Sequence, residues 1–392
     1  MKLLRTLPTS RLFVLIGVVV AVAAGAAAIA VAATGGSGPT PPPKPLAQAI
    51  HDALAAPEPS GVTARIRFTN RLFPSGALLG NAGSALMSGA SGRLWLTNDG
   101  RGRIELQSDA GDVQIVWRDG KLSVYDASAN TVYRVDLPSS TSPSETSGTQ
   151  AAPSTAEITA FLAKLAEHAN VSGARPTDIA GQPAYSVAIS PKHDGGLLGS
   201  AELAWDAVRG VPLRIAVTAQ GSSKPVLEVV VTDISYGAVA GSAVDVAPPA
   251  GAKTVDLSAP GSKAGAGEKK PVSGLAAVQA AVDFPVVAPE TLVGLPRKDV
   301  RAVGGSESKN ALVVYGQGLG AIVVLERKTD AAGSPGGGIL SSLPTVSLDG
   351  LTGHELATQL GTAIQWQRNG VAFVLAGSLP PSAAEAAARS LR

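Results

Sequence analysis

The sequence predicts a mainly β protein: a curved antiparallel open barrel with a helical lid, followed by a small C-terminal α+β domain. Three observations carry that expectation. Between Thr63 and Tyr236 polar and apolar residues alternate in run after run, with a turn signal about every ten residues. One long apolar segment precedes these runs, and Gly/Pro-rich stretches separate the parts of the chain. Hydrophobic residues make up 45% of the 392 positions but aromatics only 4%, so the core must be assembled from Val, Leu, Ile and Ala.

Residues 1–33 are read as a signal anchor. Lys2, Arg5 and Arg11 precede Leu12 to Ala33, 22 residues without a charge. As a helix at about 1.5 Å per residue this stretch is roughly 33 Å long, enough for a hydrocarbon layer of about 30 Å. Basic residues on its N-terminal side place the N-terminus in the cytoplasm and the rest outside. The alternative is a cleaved signal peptide ending at the small residues Ala28 to Ala32; export is common to both. Residues 34–45 form a Gly/Pro stalk. Leu46 to Ala56 has Leu46, Ile50 and Leu54 on one helical face.

Residues 46–257 are expected to form the open barrel. Its strands are Val62–Phe68, Arg93–Thr97, Arg103–Gln107, Val113–Trp117, Lys121–Tyr125 and Thr131–Leu137, then Tyr185–Ser190, Glu202–Asp206, Leu213–Thr218 and Val226–Tyr236. Turn signals such as Asp99-Gly100, Asp119-Gly120 and Arg209-Gly210 join them, so consecutive strands should pair antiparallel with one face packed and one solvated. The connection Arg71 to Gly92 is long and apolar, which marks a functional segment rather than a disordered one. Pro138 to Pro153 is a low-complexity polar insert. After it, Ser154 and Glu157 form a capping box opening the helix Thr155 to His168, whose Ile158, Phe161, Leu162 and Leu165 should lie against the sheet.

Residues 258–271 read as a linker, and 272–392 as the small α+β domain. There Val272–Asp283 is expected to be helical and Pro285–Pro296 too proline-rich for regular structure. The strands Ala311–Tyr315, Ala321–Glu326, Thr362–Gln367 and Val371–Gly377 follow, and a helix over Pro381–Leu391 ends the chain.

No residue pattern points to catalysis, so the protein is expected not to be an enzyme. With 32 basic against 30 acidic residues the net charge is +2, and no basic run is interleaved with aromatics, which speaks against nucleic acid. The absence of Cys excludes disulfides and thiolate metal sites. His51, His168, His193 and His354 lack metal-ligand spacing, and there is no Gly-x-Ser-x-Gly elbow. Gly316-x-Gly318-x-Gly320 is followed by a strand rather than a helix, so it reads as a hairpin turn instead of a phosphate loop. No metal or cofactor is expected. Trp95, Trp117, Trp205 and Trp366 all fall in strands, where sheet packing is the ordinary role and contact with a lipid tail or a partner the alternative.

The strand period puts Ile66, Phe68, Leu94, Leu96, Ile104, Leu106, Ile115, Leu122 and Val124 on one face. That face is either a filled core or the wall of a cavity in an incompletely closed barrel. A cavity could take an acyl chain, since burial is worth about 0.8 kcal/mol per CH₂. Its cover would come from Leu72, Phe73, Leu78, Leu79 and Met87 in the long connection, and from Phe161 and Leu165 in the helix.

The run Arg93-Leu94-Trp95-Leu96-Thr97-Asn98-Asp99-Gly100-Arg101-Gly102-Arg103-Ile104-Glu105-Leu106 resembles the LolA-type lipoprotein carriers and the related RseB-type regulators. So do Val116-Trp117-Arg118-Asp119-Gly120-Lys121, Val124-Tyr125-Asp126 and Val132-Tyr133. The resemblance covers about Pro45 to Leu257. It implies an unclosed antiparallel barrel with a helical lid that binds the acyl chains of lipids or lipoproteins. The stretch Ala363 to Gly377 (AIQWQRNGVAFVLAG) resembles a small domain found on extracytoplasmic proteins of this kind. In RseB-type regulators a smaller second domain contacts a membrane-bound anti-sigma factor. A LolA-type carrier is released into the periplasm, whereas this chain carries an anchor-like segment. The expectation is therefore an extracytoplasmic, membrane-anchored acyl-chain-binding protein, with a lipid-sensing regulator of an anti-sigma factor as the alternative.

Overall fold

The computed structural model describes residues 38–72, 85–136, 152–167, 169–192, 196–256, 272–304, 310–329 and 343–391. The anchor segment, most of the polar insert, the linker 258–271, the lid candidates Phe73, Leu78 and Leu79, and His168 and His193 lie outside the described residues. Among the described residues no helix is long and apolar enough to cross a membrane. The chain divides into two compact units. The first takes nearly all described residues up to 256, and the second takes those from 272 onward together with Leu72 and 196–198.

The first unit is a single curled, open sheet. Its strands are β1 (Gly61–Asn70), β2 (Ala90–Thr97), β3 (Gly102–Ser108), β4 (Gly111–Arg118), β5 (Lys121–Asp126), β6 (Thr131–Asp136), β7 (Ala169–Val171), β8 (Arg175–Ile179), β9 (Gln182–Pro191), β10 (Leu198–Asp206), β11 (Pro212–Ala219), β12 (Pro225–Tyr236) and β13 (Lys253–Asp256). The order is β13-β6-β5-β4-β3-β2-β1-β12-β11-β10-β9-β7, with β8 also on β9. The tight turns account for the antiparallel neighbours. At Asp119-Gly120, φ of 51° and 69° gives the left-handed pair that matches strand twist in a two-residue hairpin. Pairing of β1 with β12 shifts register between Arg65 and Ile66, a bulge that increases local twist.

Three strands of the first unit lie outside the sequence expectation. β7 and β8 are short, and β8 contains Pro176, which weakens its strand signal. β13 (KTVD) has one apolar residue and pairs parallel to β6, an exception in a sheet built from consecutive hairpins.

Helix α1 (Leu46–Ala55) covers one end of the sheet, where Ala49 packs with Tyr185, Val187, Leu203, Trp205 and Ile215. Helix α2 (Ala85–Ser88) is one turn long. Helix α3 (Thr155–Leu165) opens with the expected capping box: the Glu157 N–H donates to Ser154 Oγ at 3.3 Å, and the Ser154 N–H donates to Glu157 Oε2 at 2.8 Å. It packs mainly on α1 and meets the sheet at β7, so the expected broad contact with the sheet is replaced by helix-on-helix packing. Its apolar stripe is narrow, with Ile158 alone fully buried, which suits one neighbouring helix better than a sheet. A further turn, α4 (Gly241–Val244), contacts β2 and β3.

The second unit is an eight-stranded sheet in the order β14-β15-β16-β17-β21-β20-β19-β18. Its strands are β14 (Thr291–Leu292), β15 (Leu295–Val303), β16 (Asn310–Tyr315), β17 (Ile322–Lys328), β18 (Thr345–Leu348), β19 (Leu351–Ala357), β20 (Thr362–Arg368) and β21 (Val371–Gly377). Helices α5 (Leu275–Ala281) and α6 (Pro381–Ser390) pack against it and contribute to one core. The expected helix over 272–283 is shorter because Ser273 bridges to Arg301 and Gly274 sits at φ 92°. Regular structure also extends into the proline-rich stretch: β14 turns at Val293-Gly294 into β15. Gly316 to Gly320 is, as expected, the turn between the antiparallel β16 and β17.

Candidate functional site

The register of β1 to β6 arranges one face into cross-strand rows. The first row is Ala64–Leu94–Ile104–Ile115–Val124–Tyr133, one residue per strand. The second is Ile66–Gly92–Leu106–Val113–Asp126–Thr131, and the third Val62–Leu96–Gly102–Trp117–Leu122–Val135. Phe68, opposite Ala90, begins a fourth. All nine apolar residues singled out from the sequence therefore share this face, because residues paired across a sheet point the same way.

Coverage differs from row to row. In the second row Ile66, Leu106 and Val113 are 3%, 4% and 2% exposed. Ala85 and Leu86 of α2 pack into their cluster, and α2 touches β1, β3 and β4. The Asn70 side-chain amide holds α2 in place by donating to the Leu86 carbonyl at 2.8 Å. In the first row Leu94, Ile104, Ile115 and Val124 pack against that cluster but remain half-buried. Leu96 and Leu122 in the third row are also half-buried. There the Trp117 indole lies over Gly102, where a Cβ would come within 2.0 Å of the ring, and its N–H donates to the Gly100 carbonyl at 3.0 Å. The first row thus runs between a filled row under α2 and a row flanked by a large indole.

Of the lid candidates, Met87 belongs to α2 and is half-buried, and Leu72 is half-buried as well. Phe161 and Leu165 are half-buried on α3, in the neighbourhood of α1 and β7 rather than over the rows. Ala64, Val113 and Trp117 belong to the same face as the nine expected residues, and Ala85 packs into it from α2. The period of two in Val113–Trp117 pointed to Val113 and Trp117, while nothing local marks Ala85.

At the β6 end polar groups join the face, beside Val135 on β6 and Val255, the β13 partner of Tyr133. Tyr133 closes the first row half-buried. Asp126 Oδ1 is occupied by its own turn, accepting from the Ser128 N–H at 2.9 Å and Ser128 Oγ at 2.6 Å. Beyond β6, Lys253 of β13 pairs with Thr131 and so stands on the same face, exposed.

The opposite face carries charge. Arg65, Arg67 and Arg93 project there, and Arg103 covers the Trp95 ring at 5.1 Å. On β10 to β12, Arg214 donates through Nε to Glu228 Oε1 at 2.9 Å and through Nη1 to Glu202 Oε1 at 2.6 Å. Glu228 is fully buried, and burial pushes its carboxyl up to about 7 against the pull of Arg214. A separate open pocket of about 360 Å³ lies between Pro57–Ser60 and Val208, Arg209, Tyr236 and Gly237. Arg209 there is already engaged, 4.1 Å from the Tyr236 ring centre and 3.6 Å from buried Asp206. His51 and His354 contact the backbone carbonyls of Pro153 and Leu343. Among the described residues no three His, Cys, Asp or Glu come together as metal ligands.

No protein-family model matches the sequence, and no curated protein matches it. Among solved structures the chain is similar to MucB in complex with MucA(peri), at 16% identity and a TM-score of 0.41, covering 88% of this chain and 96% of that one. It is also similar to the MucA/MucB complex of Pseudomonas aeruginosa, at 16% identity and a TM-score of 0.40, covering 88% and 94%. An uncharacterized conserved protein from Thermus thermophilus is similar at 9% identity and a TM-score of 0.32, covering 54% and 96%. The open barrel itself is defined by the strand order and register above.

Proposed function

We propose that this protein is a non-enzymatic, extracytoplasmic, membrane-anchored binder of lipid or lipoprotein acyl chains, and that the β1–β6 face is the binding surface. The supporting observation is the half-covered row Leu94–Ile104–Ile115–Val124 beside the fully buried Ile66, Leu106 and Val113. A folded chain gains about 25 cal/mol for each Å² of apolar surface removed from water, so leaving four adjacent aliphatic residues partly wet forgoes stability that an apolar ligand would supply. About ten methylenes laid along this row would contribute roughly 8 kcal/mol before ordering costs. The row contains no nucleophile, acid or base, consistent with holding rather than reacting.

The decisive experiment is native mass spectrometry of the full-length protein, combined with uptake of a fluorescent fatty acid. Co-purified lipid and saturable uptake are expected. A clean unliganded mass with no uptake would refute the proposal.

A second reading is favoured by the second unit, which has its own complete core from Val278 to Leu391 and is not needed to enclose an acyl chain. It makes the protein a lipid-responsive regulator whose second unit binds the extracytoplasmic part of a membrane-bound anti-sigma factor. Capture of such a domain by the full-length protein, altered by added lipid, is the expected result. Lipid uptake with no capture leaves the carrier reading.

A further inference from the structure

Resting on the acyl-chain reading, we propose that the ligand is a single-chain anionic amphiphile lying across the strands, tail along Leu94–Val124 and head at Tyr133 and Lys253. Length is the first reason. Neighbouring strands are about 4.8 Å apart, so three steps from Leu94 on β2 to Val124 on β5 span roughly 14 Å. One leaflet of a hydrocarbon layer about 30 Å thick is roughly 15 Å, the length of one extended acyl chain. The half-covered row accommodates one chain end to end.

Direction is the second reason. Toward β1 the row runs into Ala64, which is fully buried, with Ile66 and Phe68 alongside in the filled cluster. Toward β6 it reaches Tyr133, whose ring continues the apolar row and whose hydroxyl makes no hydrogen bond among the described residues. Tyr suits such a boundary, apolar along its body and polar at its tip. The head therefore belongs at the β6 end.

Charge is the third. Lys253 sits one strand beyond β6 on the same face, opposite Thr131 and diagonal to Tyr133, whose own partner there is Val255; it is exposed, and among the described residues its ammonium has no ion-pair partner. The neighbouring acid, Asp126, is two strands away from Lys253 in that row and its carboxylate is tied into the 126–129 turn. β13 is also the strand that breaks the antiparallel pattern, and its register, Lys253 opposite Thr131, is what brings Lys253 onto this face. The shared chemistry is a carboxylate or a phosphate on one alkyl chain.

The test is competition against a fluorescent fatty acid on full-length protein, using dodecanoate, dodecyl phosphate and uncharged dodecanol, with wild type, Lys253→Gln and Lys253→Arg. Wild type should prefer both anions over dodecanol. An exposed ion pair is worth up to about 1 kcal/mol, so Lys253→Gln should weaken the anions about fivefold and leave dodecanol unchanged. Lys253→Arg should restore the preference. Stronger loss for the phosphate than the carboxylate would identify a phosphate head, and the reverse a fatty acid. Equal binding of all three probes, or equal weakening of all three in Lys253→Gln, would overturn the head-group assignment while leaving acyl binding intact. Failure of every probe to compete would sink both.

Discussion

The two sheets of this protein use similar residues and end in different states. In the second unit Val313, Ile322, Val324 and Leu375 are 0% exposed, closed in by α5 and α6 with Val278, Ala384, Ala387 and Leu391. In the first, Leu94, Ile104, Ile115 and Val124 stay half-buried at the margin of a cluster in which, among the described residues, the short turn α2 packs with Ile66, Leu106, Val113, Ala184, Leu213 and Val231. Strand composition does not separate the two. The difference is whether a helix with an apolar stripe of sufficient length is laid across the face. A filled face is worth stability, whereas a half-filled one is available for a ligand.

The largest divergence between the sheets should come from placing a charge in each. Val324→Asp should unfold the second unit, since an unpaired buried carboxylate costs several kcal/mol. Ile104→Asp should leave the first unit folded, with its carboxylate reaching water, and abolish fatty-acid uptake. Hydrogen exchange read unit by unit separates these outcomes, and global unfolding by Ile104→Asp would mean that the first row is core.

Truncation gives the next largest contrast. Phe373 stacks on Trp366 at 5.1 Å with ring planes 8° apart, and Phe373→Ala should cost about 3–5 kcal/mol. Ile115→Ala, half-buried, should cost about 1 kcal/mol or less, because part of the removed surface was never taken out of water. Equal losses in chemical denaturation would remove the distinction between the two faces.

Each unit holds a fully buried carboxyl that burial pushes up to about 7, Glu228 in the first and Glu326 in the second. Glu326 is fully buried on its core face; Oε2 accepts the Val287 N–H at 2.9 Å, and burial pushes the carboxyl up to about 7. Because the folded form holds its proton more tightly than the unfolded one, this stability is complete below about pH 4.5 and is lost as pH rises through about 7. The second unit should melt several degrees lower at pH 8 than at pH 5, a loss of up to about 3 kcal/mol. Glu326→Gln, which keeps the acceptor for Val287, should flatten that slope. An unchanged slope in the variant would show that another group titrates there.

The smallest effect is expected at α3. Ser154→Ala removes the capping oxygen and should cost about 1 kcal/mol, confined to α3 and its contact with α1. Fatty-acid uptake should be unaffected, since α3 lies by α1 and β7. A loss of uptake would instead make α3 part of the cover.

Much of the fold was legible because its signals are local. Alternation in Val62–Phe68 or Val113–Trp117 needs only neighbouring residues, as do Asp119-Gly120 and the Ser154–Glu157 box. What escaped lacked a local signal or was overridden from afar. β13 is four residues with one apolar side chain, and its partner β6 is remote in sequence. The helix expected from Val272 loses its first residues to a bridge with Arg301. Ala85 is a small residue inside a long connection, yet it is fully buried against Ile66, Leu106 and Val113.

Local residue order was enough to dictate that an antiparallel sheet would form, which residues would share its apolar face, and that a second small α+β unit would follow. Side-chain alternation is a property of the strand alone, so it assigns a face without reference to anything else. Long-range packing settled which row of that face is filled and which stays half-wet, and put Lys253 at its polar end. Those outcomes depend on where α2 and β13 come to rest, which is set by contacts between residues far apart in the chain and leaves no periodic trace in it.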